Sequence, residues 1–146
     1  MKRHEEAVKD FMDGYRCSQA VVAAYARDFD LNVDLARKIS LPLAGGSGVG
    51  GECGAVSAAY LVIGLRHGFA HPGDPQGVAA VIGKTRAFAD RFKSLHGEID
   101  CHRLIHLDVF SEEGHRKFAE DNIKADTCAR FVGDTVKILE EILAQE

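Results

Sequence analysis

The chain has 146 residues, of which 46% are hydrophobic and 27% are charged. A chain of this length can bury a substantial core as one domain, and this composition excludes a disordered protein. The formal net charge of −4 argues against a nucleic-acid-binding protein, because such proteins usually carry a basic surface. We therefore expect a single globular domain over 1–146.

The first third of the chain predicts three helices followed by a loop. Apolar residues recur at helical spacing over about 5–13, 16–29 and 33–40, and no segment shows the alternation typical of strands. Asn32 is expected to cap the third helix, since an asparagine side chain accepts hydrogen bonds from first-turn N–H groups. The glycine-rich segment 45–51 then predicts a loop.

The rest of the chain also predicts helices. The segment from about 53 to 66 is apolar on nearly all sides, as expected of a central helix. Pro75 favours the start of a long helix to about 95, and Gly97 favours its end. Later helix starts carry side chains that can cap a first turn, namely Asp100, Ser111 and Asp126. Together these elements predict one all-α bundle of six or seven helices.

No segment predicts export or insertion into a membrane. The N-terminus is basic at Lys2 and Arg3 but lacks the apolar region of a signal peptide. The least charged stretch, 41–65, contains seven glycines, and its apolar part, 53–65, has only 13 residues. A membrane-spanning helix needs about 20. We therefore expect a cytoplasmic protein, in which thiols stay reduced unless they are catalytic, metal-bound or sensing.

The four cysteines share one position in the predicted helices. Each lies in the first turn of a helix and in line with its apolar residues: Cys17, Cys53, Cys101 and Cys128. A helix N-terminus carries partial positive charge and free N–H groups, which stabilise a thiolate. The pattern therefore predicts inward-pointing thiols with a lowered pKa, suited to disulfide chemistry or to metal binding. Packing as small apolar side chains is the alternative for each of them.

Three glycines close to Cys53 are candidate contacts for a cofactor or an anion, namely Gly50, Gly51 and Gly54. Glycine lets the backbone approach a sulfur or a ligand closely and offers its N–H group as a donor. A plain turn between two packed helices is the alternative interpretation. The same loop matches the dinucleotide pattern at Gly46, Gly48 and Gly51, but the strand that this fingerprint requires is not predicted before it.

Two histidines beside Cys101 are candidate metal ligands. His102 and His106 are four residues apart in a helix predicted over about 101–107, and this spacing can place two ligands on one face. A solvated or capping role is the alternative. Near Cys53, Glu52 is a candidate proton acceptor or a first-turn carboxylate, and Ser57 could donate a hydrogen bond to the sulfur or to the backbone.

The order of these motifs resembles a known family. Cys17 stands in R-C-S-Q-A, Cys53 begins C-G-A-V-S-A after the glycine run, and two separated cysteines follow. This arrangement is similar to the C_GCAxxG_C_C family of redox-active proteins, which has four cysteines and a C-G-A-x-x-G motif. The resemblance covers about 14–131, and Ala58 stands where the motif has its last glycine. The chain has no CxxCH motif, so covalent haem attachment is not expected.

The resemblance implies redox or metal chemistry at Cys17, Cys53, Cys101 and Cys128 without naming a substrate. Our first hypothesis is a thiol redox protein in which Cys53 is the attacking thiolate and one of the other three cysteines resolves the disulfide. It would exchange electrons with a thiol or electron partner protein that the sequence does not identify. A homodimer is compatible with a helical domain of this size.

Two other hypotheses stay open. In the second, the four thiolates hold zinc or a [2Fe–2S] cluster, since four inward cysteines match the number of ligands that either group needs. In the third, the chain is a non-enzymatic helical interaction module and its cysteines only pack. Substitution of the cysteines separates the three, because it would abolish thiol turnover, release metal or change neither.

Overall fold

The computed structural model describes residues 1–145, and their architecture is an all-α bundle, as predicted. Eight α-helices lie in those residues, two short ones included: α1 Arg3–Met12, α2 Cys17–Ala26, α3 Val33–Ser40, α4 Gly54–His67, α5 Pro75–His96, α6 Cys101–Ile105, α7 Glu112–Glu120 and α8 Ala129–Ala144. The predicted number, six or seven, was therefore too low. Within the described residues, β-type pairing is limited to an isolated antiparallel bridge between Glu52 and Asp100.

The core lies between α2, α4 and α8, with α1 packed across α2 and α8. Its largest apolar side chains are fully buried and come mainly from these helices, including Val21, Val22, Val62, Ile63, Val132 and Leu139. Complete burial of a side chain of this size stabilises the fold by about 1.5–3 kcal/mol. The prediction that the apolar segment after the glycine loop forms a central helix is confirmed, since α4 contacts α2, α5 and α8.

Several helix ends follow local sequence signals. The Asn32 side chain accepts a hydrogen bond from the Leu35 N–H at 2.9 Å, and Ser111 Oγ accepts one from the Gly114 N–H at 2.9 Å. Both predicted caps are therefore confirmed. α5 begins at Pro75 and ends before Gly97, which adopts the left-handed conformation, so both predicted ends of this helix are also confirmed.

Three local predictions were wrong. Asp126 lies inside a wide helical turn, Lys124–Cys128, so that Cys128 rather than Asp126 precedes the first residue of α8. Asp100 precedes α6, but its side chain does not cap the first turn. The helix predicted over 101–107 ends at Ile105, because His106 adopts a left-handed conformation with φ of 59° that a helix cannot continue through.

A short backbone pairing holds the glycine loop against the start of α6. The Cys53 N–H donates to the Ile99 carbonyl oxygen at 2.7 Å, and the Cys101 N–H donates to the Gly51 carbonyl oxygen at 2.7 Å. These two bonds flank the bridge between Glu52 and Asp100. They fix the backbone of Cys53 relative to that of Cys101, although 47 residues lie between them in the sequence.

The longest helix, α5, is also among the least buried. Its second half contributes Phe88 and Phe92 to the core, whereas Val78 and Ile82 in its first half are 42% and 45% exposed. The exposed first half of α5 is therefore an unpartnered apolar surface of the described chain.

None of the helices in residues 1–145 combines the length and the apolarity that crossing a membrane requires.

Candidate functional site

All four cysteines line one cavity of about 440 Å³. The rest of its wall is mostly apolar and includes four aromatic side chains, Phe11, Phe110, Phe118 and Phe131. Two exposed polar residues, Arg16 and His115, also contribute to the wall. We call this space the thiol cavity. Residues that are 111 positions apart in the sequence thus meet at one site.

Three of the cysteines stand where a helix begins, and the fourth lies in the turn that leads into a helix. Cys17 and Cys101 are the first residues of α2 and α6, and Cys53 immediately precedes α4. Cys128 is the last residue of the wide helical turn that continues directly into α8, so the predicted placement at a helix start is observed for three of the four. All four cysteines line the cavity, which agrees with the predicted inward orientation. Cys53 is 6% exposed and the other three are partly exposed, and all four are free thiols.

The sulfur of Cys17 lies in a cradle of backbone N–H groups. Those of Ser18, Gly45 and Ala55 lie near it and partly offset the rise in the pKa of Cys17 that burial causes. The start of α4 also approaches it closely, because a Cβ atom added to Gly54 would lie 2.7 Å from Cys17 Sγ. Any larger residue at position 54 would displace this sulfur or the helix. The glycine therefore permits the close contact between α4 and Cys17.

Burial dominates the acid–base behaviour of the cavity thiols. It raises the pKa of Cys17 and of Cys53, raises that of Cys101 to about 11, and raises that of Cys128 to about 12. The predicted lowering of the pKa was therefore wrong, since N–H donors offset only part of the cost of removing a thiolate from water. The sequence shows the helix start but not its burial.

Cys17 is the central member of the four. After burial, the negative charge of the Cys17 thiolate is the next cause that raises the pKa of Cys53, of Cys101 and of Cys128. Charges interact this way only over short distances in a protein interior. The sulfur of Cys17 therefore lies within electrostatic reach of each of the other three thiols.

Glu52 anchors the glycine loop to α4. Its carboxylate accepts a hydrogen bond from Ser57 Oγ at 3.0 Å and another from the Tyr60 hydroxyl at 3.0 Å. The Ser57 hydroxyl thus donates to Glu52 and not to the sulfur of Cys53. Together with the pairing of the neighbouring backbone to Ile99 and Gly51, these bonds hold the loop that precedes Cys53.

The candidate glycines have distinct positions. Gly54 lines the thiol cavity, and the Gly51 carbonyl oxygen accepts the N–H of Cys101. Gly50 has φ of 73°, and a Cβ atom there would overlap the His102 ring. No strand precedes this loop in the part of the chain that the structure describes, which agrees with the rejection of a dinucleotide fingerprint.

The two candidate histidines do not share a helix face. His106 lies beyond the end of α6 and is exposed, whereas His102 is partly buried. His102 Nε2 lies 3.4 Å from the Val109 backbone nitrogen and 3.5 Å from Asp108 Oδ1. Neither histidine lines the thiol cavity; His115 does, through the packing of α7, and no sequence pattern pointed to it.

The described residues contain no ready-made metal centre. Among residues 1–145, no group of three or more histidine, cysteine, aspartate or glutamate side chains is arranged to hold a metal ion. The four thiols share a cavity, but binding zinc or a [2Fe–2S] cluster would require their side chains to move together from the positions described.

A second cleft is larger and chemically different. It measures about 580 Å³ and lies among charged side chains of α1, α2 and α3. Its charges pair with one another, as Arg3 does with Asp28 at 2.8 Å and Arg37 with Asp10 at 3.2 Å. It contains none of the candidate site residues, so the thiol cavity is the candidate functional site.

Comparison with known proteins agrees with this choice. The model of a family described as "Putative redox-active protein (C_GCAxxG_C_C)" matches residues 15–142, which include all four cysteines. Searches of curated proteins and of solved structures give no match. The family match covers most of the chain and includes every cysteine that lines the thiol cavity. The chain therefore belongs to the C_GCAxxG_C_C family.

Proposed function

We propose that this protein is a thiol–disulfide redox protein that uses Cys17 and Cys53 as its exchanging pair. The observation that carries the proposal is the convergence of four free thiols on one cavity. Isolated cysteines that only pack would not be expected to meet at a common opening from four separate helical segments. The family description as redox-active supports the same class of chemistry.

Cys17 and Cys53 are assigned as the pair because the Cys17 sulfur lies close to the start of α4, where Cys53 immediately precedes the helix. A Cβ atom on Gly54, the residue after Cys53, would lie 2.7 Å from Cys17 Sγ. Cys17 is partly exposed whereas Cys53 is buried, so an incoming disulfide reaches Cys17 first. We therefore give Cys17 the initial attack and Cys53, the sequence-based candidate, the second.

The proposed reaction is an ordinary two-step exchange. The Cys17 thiolate attacks one sulfur of a substrate disulfide, forms a mixed disulfide and expels the other substrate thiolate. The Cys53 thiolate then attacks the Cys17 sulfur, forms the Cys17–Cys53 disulfide and releases the second substrate thiolate. The two protons of the protein thiols pass to the two released substrate thiolates. A thiol that can enter the cavity would later reverse the oxidation by the same steps.

The substrate that suits this site is a small apolar disulfide. Cys53 is 6% exposed, so it cannot be reached by the rigid surface of another folded protein. The cavity of about 440 Å³ has an aromatic wall that favours apolar or aromatic groups. We infer the cytoplasm as the compartment, since free thiols persist in a reducing environment.

Stoichiometric oxidation tests the proposal. The reduced protein is treated anaerobically with one equivalent of 2,2′-dithiodipyridine, a small aromatic disulfide, and then mapped by mass spectrometry of its peptides. We expect two thiols to be lost and Cys17 to be joined to Cys53. In Cys53→Ser, we expect the mixed disulfide on Cys17 to accumulate, because the second attack is removed. Cys128→Ser is the control and should react like the unaltered protein.

Other outcomes would contradict the proposal. A Cys17→Ser variant that forms disulfides at the original rate would exclude Cys17 as the attacking thiol. Near-stoichiometric zinc or iron in protein purified anaerobically, lost on substitution of any one cysteine, would favour the metal hypothesis instead. Four thiols that react only after unfolding would favour cysteines that merely pack.

A further inference from the structure

The outer surface of α4 and α5 exposes apolar side chains next to one another. On α4, Leu61 and Leu65 are 38% and 37% exposed, and on the first half of α5 Val78 and Ile82 are more exposed still. The two helices pack against each other, so exposed apolar residues occur on neighbouring helices. Contiguous apolar surface of this kind marks interaction sites more often than isolated exposed residues do.

One face of α5 carries an ordered set of exposed residues. Val78, Ile82 and Arg86 follow each other at intervals of four on α5, Asp74 precedes the helix as its N-cap, and all four are exposed. Residues four apart are offset by only about 40° around a helix, so the series forms a slowly winding ridge about 18 Å long. We call it the α5 stripe. Its order is acidic, apolar, apolar, basic.

The α5 stripe is complementary to itself in the antiparallel direction. When two copies of α5 pack antiparallel about a two-fold axis near Ala80, Val78 of one copy lies opposite the partner's Ile82. Asp74 then lies opposite the partner's Arg86, so that the two ends form opposite-charge pairs. Nothing within the chain lies within 4 Å of a Cβ atom at Gly83, so this turn of α5 has open space beside it. A two-fold interface requires this kind of self-complementary patch.

The total accessible surface of the chain is large enough for part of it to be covered by a partner subunit. The accessible surface is 8,334 Å². Monomeric proteins of this mass expose about 7,400 Å², which is roughly 1,000 Å² less. A stable interface of standard size buries about 800 Å² from each partner. The excess surface is therefore sufficient for one such interface.

We propose that this protein forms a two-fold symmetric homodimer through the α5 stripe, with Leu61 and Leu65 of α4 at its edge. The apolar centre supplies the buried area, and the two Asp74–Arg86 pairs set the antiparallel register. The interface is separate from the thiol cavity. The dimer and the redox chemistry can therefore be tested independently of each other. The proposal assigns an interface to the homodimer, which was compatible with a helical domain of this size.

The test is the oligomeric state of the full chain under reducing conditions, which exclude disulfide-linked species. Sedimentation equilibrium should show a dimer. Ile82→Glu should raise the dimer dissociation constant at least about tenfold, because it buries a carboxylate at the centre of the interface. Leu95→Glu is the matched control, since Leu95 is also an exposed apolar residue of α5 but lies outside the stripe. It should leave the dissociation constant unchanged.

The charge pairs give an independent test of register. Arg86→Asp should weaken the dimer because it places a carboxylate opposite the partner's Asp74. Adding Asp74→Asn should recover part of the loss, since asparagine removes the repulsion and still accepts the N–H of Gly77 that Asp74 caps at 2.7 Å. A folded wild-type chain that is monomeric from micromolar to millimolar concentration would overturn the proposal. So would a dimer that Ile82→Glu leaves intact, and both results would assign the stripe to a different partner.

Discussion

The two ends of α4 meet opposite surroundings. At its first residue, a Cβ atom on Gly54 would lie 2.7 Å from Cys17 Sγ and 2.8 Å from the Leu43 carbonyl oxygen. Near its last turn, a Cβ atom on Gly64 would meet nothing within 4 Å, and the neighbouring Leu61 and Leu65 are exposed. One helix therefore joins the tightest part of the candidate site to an open surface.

The contrast shows that glycine has a different structural role at each end of α4. At the thiol cavity, glycine is required because sulfur and backbone atoms approach the helix closely. On the outer surface, glycine costs helix stability and gains no packing within the chain. A tight contact at one end of α4 and free space at the other therefore predict opposite effects of a glycine-to-alanine substitution on stability.

The largest difference within a matched pair is expected from alanine at the two glycines of α4. Gly54→Ala should destabilise the fold by about 1–3 kcal/mol, because the added methyl group overpacks against Cys17 Sγ. Gly64→Ala is the matched control and should stabilise it by about 0.5–1 kcal/mol through helix propensity. Urea unfolding of both variants measures the two changes. Equal effects at the two positions would contradict the contrast between the two ends.

The buried thiols predict a loss of stability at alkaline pH. Because burial raises the pKa of Cys53, the unfolded chain loses this proton at a lower pH than the folded chain does. The contribution is complete below the unfolded pKa of about 8.5 and falls as the pH rises toward the folded value. Stability should therefore decrease by up to about 1.4 kcal/mol per pH unit more in the unaltered protein than in Cys53→Ala.

Unfolding in urea at pH 8, 9 and 10 measures this slope. The comparison with Cys53→Ala removes the contribution of lysine and tyrosine side chains, which titrate in the same range in both proteins. Identical slopes in the two proteins would show that the Cys53 thiol is accessible to water in the folded chain.

The glycine loop offers a second matched pair. Gly48 and Gly50 have similar left-handed conformations, with φ of 77° and 73°. A Cβ atom on Gly48 would meet nothing within 4 Å, whereas one on Gly50 would overlap His102. Gly48→Ala should cost about 1–2 kcal/mol from conformation alone, and Gly50→Ala about 1–2 kcal/mol more. Thermal or urea unfolding would contradict this contact if the two variants were equally stable.

The smallest effect is expected at the Glu52 anchor. Tyr60→Phe removes one of two hydrogen bonds to a partly buried carboxylate and should cost about 1 kcal/mol. Tyr15→Phe is the control, because Tyr15 is exposed and contacts the Arg37 guanidinium through its ring. It should change stability by less than about 0.5 kcal/mol. A larger effect at Tyr15 would mean that the anchor contributes little.

Local signals in the sequence were sufficient for most of the fold. The caps at Asn32 and Ser111 and the ends of α5 depend on residues within one turn of each other, so a short window of sequence contains the whole cause. The cap predicted at Asp126 was wrong because the chain enters α8 through a wide helical turn, and no residue at that position indicates such a turn. The end of the helix predicted over 101–107 was wrong because His106 adopts a left-handed conformation, which ends α6 two residues early.

The candidate site divides in the same way. The placement of Cys17, Cys53 and Cys101 at helix starts is local and was predicted, whereas the wide turn that contains Cys128 was not. The aromatic wall from Phe110 and Phe118, the position of His115 and the direction of the thiol pKa shifts all depend on packing between distant elements. The sequence could therefore identify the cysteines that meet at the cavity but not their environment.

The spread of the cysteines along the chain has a consequence for biosynthesis. Cys17 leaves the ribosome long before Cys128, and the cavity closes only when α8 has docked. Until then each thiol titrates at about 8.5, whereas Cys101 titrates at about 11 in the folded protein. At neutral pH the thiolate fraction at Cys101 is therefore smaller after folding than in the nascent chain. The nascent chain is thus the form most open to stray oxidation, and completion of the bundle protects it.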